Sequence, residues 1–149
     1  YEEEKSMDIL FAIAELYANH GADDNNKFFL NLKDKISGFS RIGYVSLYGL
    51  FLQRDIKNET VISGVQVLKT IAQDDAENKW VAYYAKKTIK ELITMYEVRI
   101  ADNVQKLKTK KSKTPDGFEI KDIEKQLEND KIQQQKISAI YSEIKSSSN

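Results

Sequence analysis

The single histidine, His20, is the first place to look for catalysis or metal binding. A zinc or general-base role needs partners at helical spacing, such as a second histidine four residues away, and the sequence has none. His20 is therefore read as a residue closing a helix, where the dipole favours a cation. Asp23-Asp24-Asn25-Asn26 and Asp74-Asp75 carry the oxygens of a calcium loop but lack its twelve-residue pattern of central Gly and closing Glu. Both clusters precede expected helices, which makes N-capping their reading. Tyr44, Tyr48, Trp80, Tyr83 and Tyr84 have the ring chemistry of a groove for peptide or sugar. Of these, Tyr44, Tyr48, Trp80 and Tyr84 form the candidate interaction surface. The competing reading of rings at helical spacing is core, with phenol oxygens reaching outward. The lysines between positions 106 and 113 could meet anionic lipid or nucleic acid, yet they sit at a helix end without an aromatic neighbour, as a solvated basic end does. Serine–histidine triads, phosphate loops and dinucleotide fingerprints are missing. No catalytic, cofactor-binding or metal-ligating residue is assigned, and the chain is expected not to be an enzyme by itself.

The elements that position these residues are helices. One proline and six glycines in 149 residues favour long helices over a turn-rich sandwich. With 41% hydrophobic and 31% charged residues, the composition is that of an ordinary globular domain. Lysine plus arginine equals aspartate plus glutamate, at 23 each, so a dedicated nucleic-acid binder is disfavoured. There is no cysteine, which excludes disulfides and thiolate metal sites and leaves the compartment open. No apolar run approaches the roughly 20 residues of a membrane span. The chain opens on Tyr1-Glu2-Glu3-Glu4-Lys5, already helical in character, and is expected to be a piece of a longer protein or a processed mature chain.

A phrase recurs along the chain. Ile9-Leu10-Phe11-Ala12-Ile13-Ala14, Tyr44-Val45-Ser46-Leu47-Tyr48-Gly49 and Trp80-Val81-Ala82-Tyr83-Tyr84-Ala85 lie about 35 residues apart, and each ends in a small residue. This spacing predicts stacked helical units, with Ala14, Gly49 and Ala85 allowing close approach. Helices are expected at about 5–19, 25–37, 41–53 and 59–73. Gly21 is expected in the left-handed position after the first. The alternation Val65-Gln66-Val67 would suit a strand, but the length of its segment and its match to residues 30–36 favour helix. Residues 1–78 thus form two helical hairpins.

The third unit does not turn after Ala85. A helix over about 79–111 carries Ile89, Ile93, Tyr96, Ile100, Val104 and Leu107, a heptad seam. Thr114-Pro115-Asp116-Gly117 makes a turn. A helix over about 119–145 repeats the seam at Ile120, Ile123, Leu127, Ile137, Tyr141 and Ile144, interrupted by Asp130 and Gln134. Residues 79–149 are read as a long antiparallel coiled-coil hairpin packed on the first two. Folding back at Pro115 sets Asp130 opposite Arg99, an expected pair that fixes register.

The segment Lys79-Trp80-Val81-Ala82-Tyr83-Tyr84-Ala85-Lys86-Lys87-Thr88-Ile89 resembles the second half of a HEAT-type repeat. More narrowly, residues 42–99 resemble the C-terminal helical region of bacterial zinc aminopeptidases of the aminopeptidase N family, particularly those of Bacteroidetes. The carrying residues are Gly43-Tyr44-Val45-Ser46-Leu47-Tyr48-Gly49-Leu50-Phe51-Leu52, then Gly64-Val65-Gln66-Val67-Leu68, then residues 82–92 leading into Met95-Tyr96-Glu97. The family's His-Glu-x-x-His signature and its Gly-x-Met-Glu-Asn phrase are absent, so no catalytic residue carries over. The resemblance implies an all-α, HEAT-like scaffold domain beside the catalytic domain of its own parent chain, with the zinc held there and a periplasmic or secreted parent. The alternative is a free-standing helical-repeat module for protein–protein interaction. A truncated stack should expose an apolar face near Tyr1 to Leu16 and could form a homodimer through it.

Overall fold

In the computed structural model six α-helices follow one another: α1 (Glu2–Ala18), α2 (Asn25–Leu32), α3 (Ser40–Leu52), α4 (Asn58–Gln73), α5 (Lys79–Lys111) and α6 (Gly117–Glu143). The structure describes residues 2–111 and 117–144, with side chains over 7–110 and 119–144. The turn expected around Pro115 and the C-terminal tail lie outside the described residues, as do parts of the lysine run and of the apolar face near Tyr1. The chain is all-α among the described residues, and none of these helices is long and apolar enough to cross a membrane.

α1 packs on α3 and α3 on α5, while α4 packs on α6, so the hairpins α1–α2, α3–α4 and α5–α6 stack in chain order. One apolar core runs through all three, from Ala14 and Phe29 through Tyr48 and Leu68 to Ile89 and Ile137. The stack is tight where a helix lacks a side chain. A Cβ on Gly43 would come within 3.0 Å of the Phe11 ring, and one on Gly64 within 2.5 Å of Leu52 Cδ2. At Gly49 it would collide with the Thr88 methyl. Ala14 and Ala85 are fully buried in the corresponding layers.

Gly49→Ala should therefore destabilise. Overpacking costs about 1–3 kcal/mol and outweighs the gain of about 1 kcal/mol in helix propensity. Thr88→Ser removes the methyl yet keeps the hydroxyl that donates to the Tyr84 carbonyl at 2.7 Å. Thermal unfolding of the two single variants and the double variant checks this. The double should recover most of the loss, and two additive losses would show that the layers do not meet here.

Three local expectations are corrected. α2 stops at Leu32 rather than near 37, because the chain turns through residues 33–35 and reaches Gly38, the one described residue with positive φ (65°). Gly21 is not left-handed; its Cα instead lies against Arg54, where a Cβ would stand 3.1 Å from Arg54 Cβ. The seam of α6 keeps Ile123, Asp130, Ile137 and Ile144, while its alternate positions move one residue back, from Gln134 and Tyr141 to Gln133 and Ile140. Ile123, Asp130, Gln133, Ile137, Ile140 and Ile144 are its buried positions, whereas Gln134 and Tyr141 are half-buried. On α5 the buried series is Ile89, Leu92, Ile93, Tyr96, Asn103 and Leu107, with Ile100 and Val104 half-buried.

Candidate functional site

The aromatic candidates divide. Tyr44 and Tyr48 are fully buried and offer no surface, a correction to their reading as part of an interaction face. They surround Phe29, which stacks on Tyr48 at 5.1 Å and on Phe51 at 5.2 Å between ring centroids. Tyr44 Oη donates to the Phe29 carbonyl at 2.8 Å, and Tyr48 Oη donates to Asn26 Oδ1. Both acceptors belong to α2, so the phenols are the clamps that hold this short helix on α3. Burial pushes both phenols well above the usual tyrosine range. Trp80 and Tyr83, by contrast, are 56% and 55% exposed at the start of α5 and meet edge to face. Tyr84 is half-buried beside Tyr83, with Lys87 Nζ 5.7 Å from its ring centroid.

The polar clusters join successive hairpins. Asp23 does not cap α2, whose N-cap is Asp24 without a side-chain hydrogen bond. Its Oδ1 instead accepts from the Lys57 backbone N–H at 2.9 Å and the Thr60 hydroxyl at 2.8 Å, capping α4. Arg54 donates through Nε to the Ala18 carbonyl at 3.0 Å and through Nη2 to Asn19 Oδ1 at 2.7 Å, closing the C-terminus of α1. Arg41 donates to the Lys33 and Ile36 carbonyls and pairs with Glu77 at 2.8 Å. His20 Nδ1 lies 2.8 Å from the Leu16 carbonyl oxygen, a local helix-end contact. In the 74–78 break, Asp74 Oδ1 accepts from the Ala76 N–H and Asn78 Oδ1 from the Trp80 N–H, which caps α5.

The Lys57 backbone N–H, followed by the Thr60 hydroxyl, holds the Asp23 carboxyl below the usual carboxylate range. A lowered folded pKa means that its stabilisation is complete above the unfolded value of about 3.9 and fades as pH falls through the folded one. Asp23→Asn should lower the melting temperature at neutral pH, with the deficit shrinking in acid. Melting curves across that range check it, and a deficit that does not change with pH would exclude the carboxylate as the cap.

A cleft of about 440 Å³ opens between the end of α2 and the outer face of α4, lined by Lys33, Asp34, Arg41, Gln66, Thr70 and Glu77 among others. Further along the molecule a polar layer interrupts the apolar seam. Arg99 Nη2 lies 3.2 Å from Asp130 Oδ1, which sequence arithmetic placed opposite it. The carboxylate is 2% exposed and Arg99 47% exposed. The guanidinium approaches off the N–H line, so Oδ1 is left without a hydrogen bond. Gln133 Nε2 donates to the Asn58 carbonyl at 3.0 Å, and Asn58 Nδ2 donates to Asn129 Oδ1, tying α6 to the first turn of α4. The buried role of Gln133 was hidden by the phase of the seam, since Gln134 carries the same side chain one position on.

No protein-family model, curated protein or solved structure matches this chain.

The remaining unpartnered features are apolar faces. On α1, Ile9 and Leu16 are 60% and 64% exposed, opposite the face that Phe11, Ala14 and Ala18 turn to the core. On α5, Trp80 and Tyr83 form an exposed pair, and Val98 is exposed separately beyond Lys87, Glu91 and Thr94.

Proposed function

We propose that this chain is a non-catalytic helical scaffold, HEAT-like in organisation, serving as the C-terminal domain of a zinc aminopeptidase and packing beside the catalytic domain of its own parent chain. The observation that supports a scaffold is the spacing of the polar joints. Arg41–Glu77, Arg54–Ala18, Arg54–Asn19, Asp23–Lys57 and Asp23–Thr60 each link residues separated by 36, 36, 35, 34 and 37 positions. That is one structural repeat. Side chains of the types used in active sites are engaged here in locking each hairpin to the next, as a stack that must hold its shape requires. The host rests on the resemblance of residues 42–99 to the tail of that family, and the zinc would belong to the host's catalytic domain.

Reading the same open reading frame upstream of Tyr1 tests the assignment. A His-Glu-x-x-His helix with its downstream Glu is the expected result. A start codon or signal peptide immediately before Tyr1 would remove the aminopeptidase reading and leave the second one, a free-standing interaction module. The exposed Trp80 and Tyr83 favour that second reading, since large aromatic rings left in solvent beside one another mark contact surfaces.

A further inference from the structure

The exposed faces of α1 and α5 are complementary to one another. The outer stripe of α1 is Ile9, Ala12 and Leu16, flanked by the exposed carboxylates Asp8 and Glu15, and no lysine or arginine lies among residues 7–18. The outer stripe of α5 that faces it in kind is confined to residues 79–90, where Trp80 and Tyr83 are flanked by the exposed Lys79, Lys87 and Lys90 and no carboxylate occurs; exposed Glu91 and Glu97 follow. Lys90 rests against the Tyr141 ring, while none of the three appears in an ion pair among the described residues. The lengths also agree. The stripe from Ile9 to Leu16 on α1 and the segment from Trp80 to Lys87 on α5 each span seven residues, about 10 Å.

We infer that the α1 face of one copy docks on the α5 face of a second copy, head to tail. The inference rests on the second reading, a free-standing module whose α1 face no preceding unit covers, and it continues the α1–α3–α5 stacking from one molecule into the next. A symmetric α1–α1 pair is disfavoured by charge. Antiparallel pairing would set Asp8 against Glu15 of the other copy, with no described cation on either stripe to offset them. Lysines beside aromatic rings meet both requirements of the α1 face at once, a counter-charge and an apolar partner. A heterologous contact of this kind leaves a free face at each end and builds open chains or rings.

Sedimentation of the chain over a wide concentration range, with surface variants, tests the inference. The wild type should associate beyond dimer. Leu16→Glu and Trp80→Glu should each weaken self-association at least tenfold. An equimolar mixture of the two should form a one-to-one dimer and stop there, because each variant retains one intact face. All the substituted positions are exposed, and unchanged helical melting verifies that the fold is kept. As an independent pair, Asp8→Lys/Glu15→Lys should associate with Lys79→Glu/Lys87→Glu but not with itself. A wild type that stays monomeric overturns the inference. So does a mixture that fails to pair, or association that Trp80→Glu leaves intact, which would mean symmetric pairing through α1. None of these outcomes bears on the upstream reading frame, so the host assignment stands or falls separately.

Discussion

Phe29→Ala should cost about 3–5 kcal/mol, the range for truncating a buried phenylalanine, and should release α2 from the stack. α2 has eight residues and is too short to be stable by itself. Its two buried side chains are Phe29 and Leu32. Phe29 packs against Phe28, Tyr44, Tyr48 and Phe51 at once. Once it is gone, α2 can drift, and the buried phenols of Tyr44 and Tyr48 lose their acceptors on that helix. A buried hydroxyl without a partner costs about a further 1–3 kcal/mol. Urea unfolding measures the total, and near-ultraviolet dichroism should show tyrosine signals collapsing before helical content is lost. Phe28→Ala, at a half-buried neighbour, is the control and should cost clearly less. A loss at Phe29 below about 1 kcal/mol would mean that α2 is held by something other than this cluster.

Asp130→Leu should stabilise the chain by about 1–3 kcal/mol at neutral pH. A carboxylate in a heptad seam loses its water. Here its return is a half-exposed arginine off the hydrogen-bonding line and an oxygen with no donor. Burial accordingly raises the Asp130 pKa, against the opposing pull of Arg99 and of Asn129. A raised folded pKa makes the ionised form costly at neutral pH. The native state takes up its proton first, so the wild type recovers stability as pH falls from neutral towards about 4. The advantage of the leucine variant should shrink over the same interval. Melting temperatures of the two proteins across that range decide the matter. A loss of stability in Asp130→Leu would show that the Arg99 pair is a net stabiliser. Arg99→Ala should be the destabilising partner experiment, by about 1–2 kcal/mol, because it strands the carboxylate.

The long elements were legible in the sequence because their signals are arithmetic. Six helices follow from apolar spacing, and the opposition of Arg99 and Asp130 follows from counting back around Pro115. The phase of the seam was less legible. Ile140 and Tyr141 are adjacent and both apolar, so periodicity alone does not choose between them; the hydrogen bond from Gln133 to Asn58 of α4 reflects the rotation that does. The caps were misassigned for a related reason. Asp23 stands directly before α2 in the chain, yet its partners are 34 and 37 residues away. Local capping rules cannot see a distant helix terminus. Spacing favours core for Tyr44 and Tyr48 but leaves a surface role open, because the acceptors that permit their burial lie 15 and 22 residues off, on a helix whose own end was misplaced.

α5 runs for 33 residues without a glycine or proline, about 50 Å of unbroken helix. Its buried apolar residues from Val81 to Tyr96 belong to the main core, whereas Leu107 and, on α6, Ile123 are buried outside it. The polar layer lies where support ends. Mechanically, this makes the hairpin a cantilever with its bearing at Arg99, Asp130, Gln133 and Asn58. A tilt of a few degrees at that bearing displaces the far tip by ångströms, and a load on the tip returns as torque on the first turn of α4.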